Sequence, residues 1–300
     1  MDTADFLLFT TSNPKGPRMA ELLRLFKSID DAVATEGVRV KHYVLLQEAV
    51  ALPDELADWQ SRHRSFLLAP TRLSLSRARN LMIHRARADR AFASTRITAF
   101  PDDDAWYPPG FLRMLSGYLG ISTVPDIFTC RYASNPVHIH PACPDEVFAY
   151  LHVSSDREFV RYASSNTLFL RSALAETVGY FDERLGVGAR INGGEDLDYA
   201  LRAYCLGGTH ATISTLPLVG HRDWSPGVRA QYYTGSLFAI ARSGLGSLPL
   251  FVQLLRKVGV GIFFTLRREM SPGQLLRSLG TGLRGAADRR VAIAQPIEAP

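Results

Sequence analysis

Short apolar runs of strand length recur along the first hundred residues, and stretches with helical spacing separate them. Few folds accommodate that alternation. FLLFTT (residues 6–11), Val40 to Leu46, Phe66 to Ala69 and Ile97 to Phe100 read as buried strands. Residues 18–28 carry Met19, Leu22, Leu23 and Phe26 at helical spacing, and a polar helix is expected around Glu55 to Ser61. A third helix follows Leu73-Ser74-Leu75-Ser76, with Ser74 or Ser76 as its N-cap. Its apolar face is Ala78, Leu81, Met82 and Ala86, while Arg77, Arg79, Arg85, Arg87 and Arg90 sit elsewhere. Strands and helices in this order predict an α/β fold, a mostly parallel mixed sheet flanked by helices. Ligands of such sheets bind beyond the C-terminal strand ends. No Gly-x-Gly-x-x-Gly follows the first strand and no Walker A pattern is present, so a dinucleotide or P-loop site is not expected.

The fourth strand runs into FPDDDAWYPPGFL, residues 100–112. Three adjacent carboxylates, Asp102, Asp103 and Asp104, repel one another, and a hard divalent cation is the usual remedy. In an extended segment alternate residues point the same way, so Asp102 and Asp104 can share a site while Asp103 points elsewhere. A solvated acidic turn would explain the triplet alone equally well.

Further on, Phe111 to Leu119 reads as a helix and Asp126 to Tyr132 as a strand. Residues 134–158 look irregular, with His138, His140 and Cys143 in a loop lacking a matching fourth zinc ligand. A strand is expected over 159–170 through a Ser-Ser-Asn break, then a short helix over Leu174 to Val178. In GGEDLDYALRAYCLGG, residues 193–208, Leu197, Ala200, Leu201 and Tyr204 mark an amphipathic helix. Glu195 and Asp196 fall in its first turn, where acidic residues are favoured for stability alone. The preceding Gly193-Gly194 suggests close approach of another molecule's backbone or a ligand. A last strand, residues 211–219, delivers His221, placed to act as a neutral imidazole ligand.

From Trp224 onward the character changes. Tyr232 to Ser243 reads as helical, and the uncharged runs 243–255 and 258–266 are each too short to span a bilayer. From residue 251 the chain has eight basic and three acidic residues, a surplus of five that accounts for the whole net charge of +5. Apolar runs flanked by Arg and Lys suit a helix lying in an anionic membrane interface, and the alternative is a helix packed on the domain or an oligomer contact. The tail lacks the aromatic-basic interleaving of nucleic-acid platforms, so no nucleic acid partner is expected. Three widely spaced cysteines suit a reducing compartment. The N-terminus lacks the basic region of a secretory signal.

In this order and spacing, the first strand with its Thr-Thr-Ser-Asn loop, LSLSRARNLMI, FPDDDAWYPPGFL, SSNTLFLRSALAETVGYFDERLG and GGEDLDYALRAYCLG resemble a family 2 glycosyltransferase of the GT-A fold, over roughly residues 5–242. The resemblance implies a glycosyltransferase domain over 1–242 and a basic amphipathic helical tail over 243–300. It implies inverting transfer of a sugar from a nucleotide-diphosphate donor to a hydroxyl of a saccharide or lipid-linked acceptor, dependent on Mn2+ or Mg2+, in surface polysaccharide or glycolipid assembly. Asp102 would sit near the ribose, with Asp103 beside it, and Asp104 would hold the metal with Asp102 and His221. Asp196 would be the general base and Glu195 its neighbour. Thr10, Thr11 and Asn13 would line the nucleotide pocket, Arg79 and Asn80 would lie close to base and diphosphate, and Glu48 would read the base. The expected location is cytoplasmic, at the inner face of the plasma membrane through the tail. The alternatives are a sugar-nucleotide pyrophosphorylase, which would carry a basic Gly-rich first loop, and a non-catalytic nucleotide- or sugar-binding module.

Overall fold

A computed structural model describes residues 3–153, 155–208, 210–222, 228–244 and 247–287. Asp223, Trp224, Asp288, Arg289, Arg290 and Glu298 of the tail reading lie outside the described residues. The chain begins with β1 (Ala4–Ser12), almost wholly buried. Its side chains alternate between two cores: Leu7 and Phe9 enter one, Phe6 and Leu8 the other. That two-sided burial is why the run is continuously apolar.

Next comes α1 (Pro17–Glu36), opened by a proline and closed by Gly37 in the left-handed region at φ 68°. It runs eight residues past the expected end at 28, because Ile29 and Ala32 continue the buried face begun by Leu22, Leu25 and Phe26. β2 (Val40–Gln47) follows. The polar helix expected near Glu55 is a single 3₁₀ stretch over Asp54–Trp59 that buries Leu56. After β3 (Arg64–Ala69), α2 (Leu75–Ala88) is capped by Ser74, whose side chain accepts from Arg77 N–H. Ser76 is buried and donates to the Leu185 carbonyl at 2.6 Å. β4 (Thr95–Ala99) and α3 (Phe111–Leu119) match the sequence reading.

The region after β5 (Ile127–Ala133) corrects it. Residues expected to be irregular build α4 (Pro144–Ala149), β6 (Leu151–Val153) and the start of α5 (Asp156–Tyr162). The strand expected over 159–170 is half helix: β7 covers only Leu168–Arg171. A capping box between Ser155 and Glu158 nucleates α5 and so takes Phe159 to Tyr162 out of the strand. Then come α6 (Ser172–Val178), α7 (Glu195–Leu206) and β8 (Thr212–Gly220).

The eight strands form one sheet in the order β3-β2-β1-β4-β7-β5-β8-β6. β3, β2, β1 and β4 run parallel, β5 parallels β8, and β7 lies antiparallel between β4 and β5. The α/β, mostly parallel mixed sheet flanked by helices is thus the observed fold. Its consequence for function is positional. Antiparallel β7 begins where β4 ends, setting Asn166 beside Asp102, while β8 ends on that same edge and delivers His221. Gly220 and Trp106 clasp each other through two backbone hydrogen bonds of 3.0 and 2.9 Å, tying the acidic turn to β8.

The C-terminal part comprises α8 (Val228–Gln231), α9 (Tyr233–Gly244), α10 (Leu248–Leu266) and α11 (Pro272–Ala287). α9 packs on α7, α10 and α11, and α10 also touches α5. Residues 248–255 of the first apolar run and the whole of the second form one continuous helix, because Arg256 and Lys257 interrupt hydropathy but not backbone. α10 reaches a mean hydropathy of 1.4 over 18 residues, with 17% of that window buried, so by length and composition it meets the requirement of a membrane span. It is nonetheless docked: Leu250, Gln253 and Gly261 are buried, and a Cβ at Gly261 would lie 2.2 Å from Tyr233 Oη.

Candidate active site

The acidic turn follows β4 immediately, at the C-terminal edge. Asp104 and His221 are buried and Asp102 is half-buried, and one ligand atom from each lies within 4.8 Å of the others. Among the described residues no other group of three potential metal ligands forms, and His138, His140 and Cys143 do not make one. His221 Nε2 is 3.1 Å from Asp104 Oδ1 and 3.8 Å from Asp102 Oδ2. Asp104 Oδ1 is buried without a well-formed hydrogen bond, and so is His221 Nδ1. Buried polar atoms left this way are uncommon. Two carboxylates and an imidazole around an orphaned oxygen fit a divalent cation such as Mn2+ or Mg2+. Burial disfavours a charged His221, yet Asp102 and Asp104 outweigh it and push its pKa up to about 10. Burial would also raise Asp102, but His221, Arg79 and Asn166 hold it down at about 2.

Asp102 and Asp104 do share a site, as the sequence suggested, but through a turn rather than an extended strand end, since β4 stops at Ala99. Asp103 is not one of the three grouped ligands, yet it lines the same cleft, and one Arg18 nitrogen reaches both it and Asp104. Asp103 accepts from Ser12 Oγ at 2.6 Å and from Arg18 at 2.7 Å, and burial pushes it up to about 6 despite them.

Arg79 joins the two acidic landmarks. Its guanidinium donates to Asp102 at 3.0 Å and to Asp196, and it stacks 5.0 Å from the Phe181 ring centroid. The sequence put Arg79 off the buried face of α2, whereas it is fully enclosed, because Asp102, Asp196 and Phe181 build the surroundings a buried guanidinium needs. Its donors are therefore spent on carboxylates. Ser165 N–H reaches the second Asp196 oxygen at 3.4 Å. Asn166 holds Asp102 twice: its Oδ1 accepts from Asp102 N–H at 2.7 Å and its Nδ2 donates to Oδ2 at 2.8 Å.

Glu195 differs sharply from its neighbour. It is buried, Oε2 has no partner, and burial, reinforced by Asp196, pushes it up to about 8. It holds its proton at neutral pH. Gly193 and Gly194 take φ of 72° and 85°, and the close approach they permit is made by the chain itself. A Cβ on Gly194 would lie 2.2 Å from the Gly235 backbone, and one on Gly193 2.8 Å from Tyr232. The glycine pair seats α9 against the start of α7.

Two clefts meet here. The first, about 420 Å³, is lined by Thr11, Asn13, Asp102 to Asp104 and His221, together with Arg18, Gln47, Arg72 and Arg222. The second, about 450 Å³, holds Glu195 and Asp196 and is walled by α10. Leu75, Asp102, Val187 and Tyr232 border both.

Four residues expected at the nucleotide lie outside the clefts: the enclosed Arg79, and Thr10, Asn80 and Glu48. Thr10 is buried, donating to the Pro101 carbonyl at 3.1 Å beneath the acidic turn. Asn80 is buried and braces the Phe181 backbone and Glu183. Glu48, in the left-handed region at φ 54°, accepts from Asn13 and Lys15 at 2.9 Å, and Gln47 lines the cleft in its place. The sequence reading missed Arg18, Gln47, Asn166 and Tyr232. Only Asn166 carried a local signal, the polar Ser-Ser-Asn break before an apolar run.

No protein-family model and no curated protein sequence matches the chain. Solved structures do resemble it. S. aureus TarS aligns with TM-score 0.61 at 13% identity, covering 95% of this chain and 50% of TarS, so the chain spans about half the length of that protein. The mannosyltransferase PcManGT from Pyrobaculum calidifontis, solved in complex with GDP-Man and Mn2+, aligns with TM-score 0.55 at 14% identity, covering 98% of this chain and 77% of that one. The chain has a glycosyltransferase fold.

Proposed function

We propose that this chain is a family 2 glycosyltransferase that moves a sugar from a nucleotide-diphosphate donor to a hydroxyl acceptor with inversion. One observation carries the reading. A cleft holding a cation-ready Asp102–Asp104–His221 group meets, across Asp102, a second cleft holding Asp196. Donor and acceptor would then enter from two sides and face each other at the shared border. The solved complex of PcManGT with GDP-Man and Mn2+ supports the choice of donor class and metal class.

When bound, the divalent cation supplies positive charge against the leaving diphosphate without proton transfer. Arg18, partly exposed beside Asp103 and Asp104, adds a charge-assisted donor from the protein. Asp196 takes the proton from the acceptor hydroxyl as the new bond forms. Arg79 and the Ser165 amide fix the direction of its carboxylate. Glu195, protonated, adds no second negative charge beside it. Single displacement inverts the anomeric centre.

The tail supports a membrane-adjacent setting. Leu248, Phe251, Val252, Leu255, Ile262 and Phe263 are exposed along α10, and Arg267, Arg268, Arg277 and Arg284 are exposed nearby in sequence. Such a surface suits peripheral contact with anionic lipid at the cytoplasmic face, and with it surface polysaccharide or glycolipid assembly. Calorimetric titration of UDP and GDP, with and without Mn2+ or Mg2+, against wild type and Asp104→Ala tests the core of the proposal. Metal-dependent binding lost in the variant is expected. If neither these nor dTDP binds, the chain is a non-catalytic module.

A further inference from the structure

α10 turns one face to the second cleft. Gln253, Arg256, Lys257 and Val260 follow at i, i+3, i+4 and i+7, and all four line the cavity that Glu195 and Asp196 also line. Arg256 is exposed at the rim, while Lys257 is partly buried on the wall of a cavity already holding two carboxyl groups, and that second cation requires an explanation. Among the described residues, no carboxylate lies within ion-pairing distance of either one. Lys257 is the more telling. Its ammonium lies 5.4 Å from the Tyr233 ring centroid, and the Tyr233 hydroxyl, donating to the Lys257 carbonyl at 3.0 Å, pins that turn of helix. Burial alone brings its pKa down to about 8.

Holding a cation in a desolvated place without a counter-ion costs stability. The cost makes sense where the counter-ion arrives with a ligand. A neutral sugar would need neither cation, and Asp196 repels an anion unless something compensates. An Arg fork beside a Lys point charge suits the several oxygens and double charge of a phosphate.

We propose that the acceptor carries a phosphate group, seated by Arg256 and Lys257 while its hydroxyl reaches Asp196. This rests on the glycosyltransferase reading above and names its acceptor class. α10 would then act as a specificity element, with Lys257 turned to the cleft and the exposed Arg256 at the edge between the cleft and the apolar face.

The test is the acylation rate of Lys257 by acetic anhydride, read by peptide mass spectrometry at pH 7 with a metal chelator present. Only the neutral amine reacts, and an anion that raises the pKa by one unit slows it about tenfold. Inorganic phosphate is expected to slow Lys257 in this way, glucose not at all, and Arg256→Gln to weaken the protection. Glycerol 3-phosphate and vesicles of phosphatidylcholine with phosphatidic acid separate the sources. Stronger protection by the vesicles at equal phosphate assigns a lipid phosphate, and stronger protection by the soluble ester assigns a phosphorylated glycan. An unchanged rate with every phosphate, or equal protection by glucose, overturns the proposal. Binding of UDP or GDP with Mn2+, measured on the same wild-type protein, reads the donor cleft separately. Binding without Lys257 protection refutes the phosphate seat alone, and protection without binding refutes the donor reading alone.

Discussion

The position that best tests the site's construction is Gly220. It has no catalytic group, yet it clasps Trp106 through both backbone hydrogen bonds and precedes His221. A Cβ there would lie 1.9 Å from Trp106 Cε2, 2.2 Å from Cδ2 and 2.4 Å from Cζ2. Ordinary contact begins near 3.4 Å, so the indole must move by about 1.5 Å, and it has little room. Trp106 is buried beneath the Arg24 guanidinium, 3.9 Å from its ring centroid, and Arg24 in turn donates to the Asp104 carbonyl at 2.9 Å. Overpacking of this kind costs about 1–3 kcal/mol. At roughly 2–4 °C per kcal/mol for a chain near this size, Gly220→Ala should lower the melting temperature by about 2–12 °C. The larger effect is local. Asp104 moves with Trp106 while His221 moves with Gly220, so Mn2+-dependent nucleotide affinity should fall about 10–100-fold, the usual cost of disturbing the residues that aim metal ligands. Calorimetry gives the affinity and thermal unfolding gives the stability. Trp106→Leu in the same chain should restore part of both, as non-additivity of touching residues requires. A Gly220→Ala protein with wild-type affinity and an unmoved melting temperature would show that the clasp does not position the metal ligands.

Asp196→Asn should cut sugar transfer at least a hundredfold while leaving nucleotide affinity unchanged, as measured by turnover and calorimetry; turnover within a few-fold of wild type would remove Asp196 as the base. Glu195, with a folded pKa near 8 against an ordinary 4.5, takes up a proton on folding, so it makes stability fall as pH rises between those values. Glu195→Gln should flatten that slope by up to about 1.4 kcal/mol per pH unit, and superimposable melting curves against pH for the two proteins would refute the buried protonated acid. Leu255→Glu with Phe263→Glu should abolish flotation with phosphatidylglycerol vesicles at an unchanged melting temperature, since both side chains are about half exposed; equal flotation would refute the membrane contact.

What could be read from the sequence was what periodicity encodes. β1, β2, α3, α7 and β8 came within a residue or two, because each buries a regular set of side chains. Misreadings came where a polar contact decides. The second half of α5 reads as strand although its Ser155–Glu158 capping box is visible in the sequence, because the apolar FV of residues 159–160 outweighs the cap in the pattern. The helical pattern sets Arg79 off the apolar face of α2, and nothing local announces that Asp102, Asp196 and Phe181 surround it. The family resemblance groups the acidic turn, the Glu195–Asp196 pair and His221, and the fold brings them to one edge. Thr10 and Asn80 lie one layer beneath the clefts, a difference of facing that strand and helix spacing near their ends does not resolve. Asn166 and Arg18 reach the carboxylates only because β7 runs antiparallel and α1 starts beside the turn, long-range facts that the sequence pattern does not carry.

The same contacts settle how the tail has to be studied. Truncation after α9 looks like a clean way to separate membrane contact from catalysis, but the packing argues otherwise. Cβ atoms at Gly282 and Gly285 of α11 would lie 3.1 Å from Leu237 and 2.9 Å from Phe238, so α11 rests directly on α9. Tyr233, Leu237 and Met270 form a small buried core that exists only while α10 and α11 are in place. Uncovering a Tyr, a Leu and a Phe exposes several side chains worth about 1.5–3 kcal/mol each. α9 itself stands against Gly194, the residue from which α7 starts with Glu195 and Asp196. Deletion of the tail would therefore loosen the second cleft as well as remove the apolar face, and loss of activity in such a protein would say nothing about membranes. Substitutions confined to the outward face of α10 leave the Gly194–Gly235 contact intact, and they alone separate the two roles.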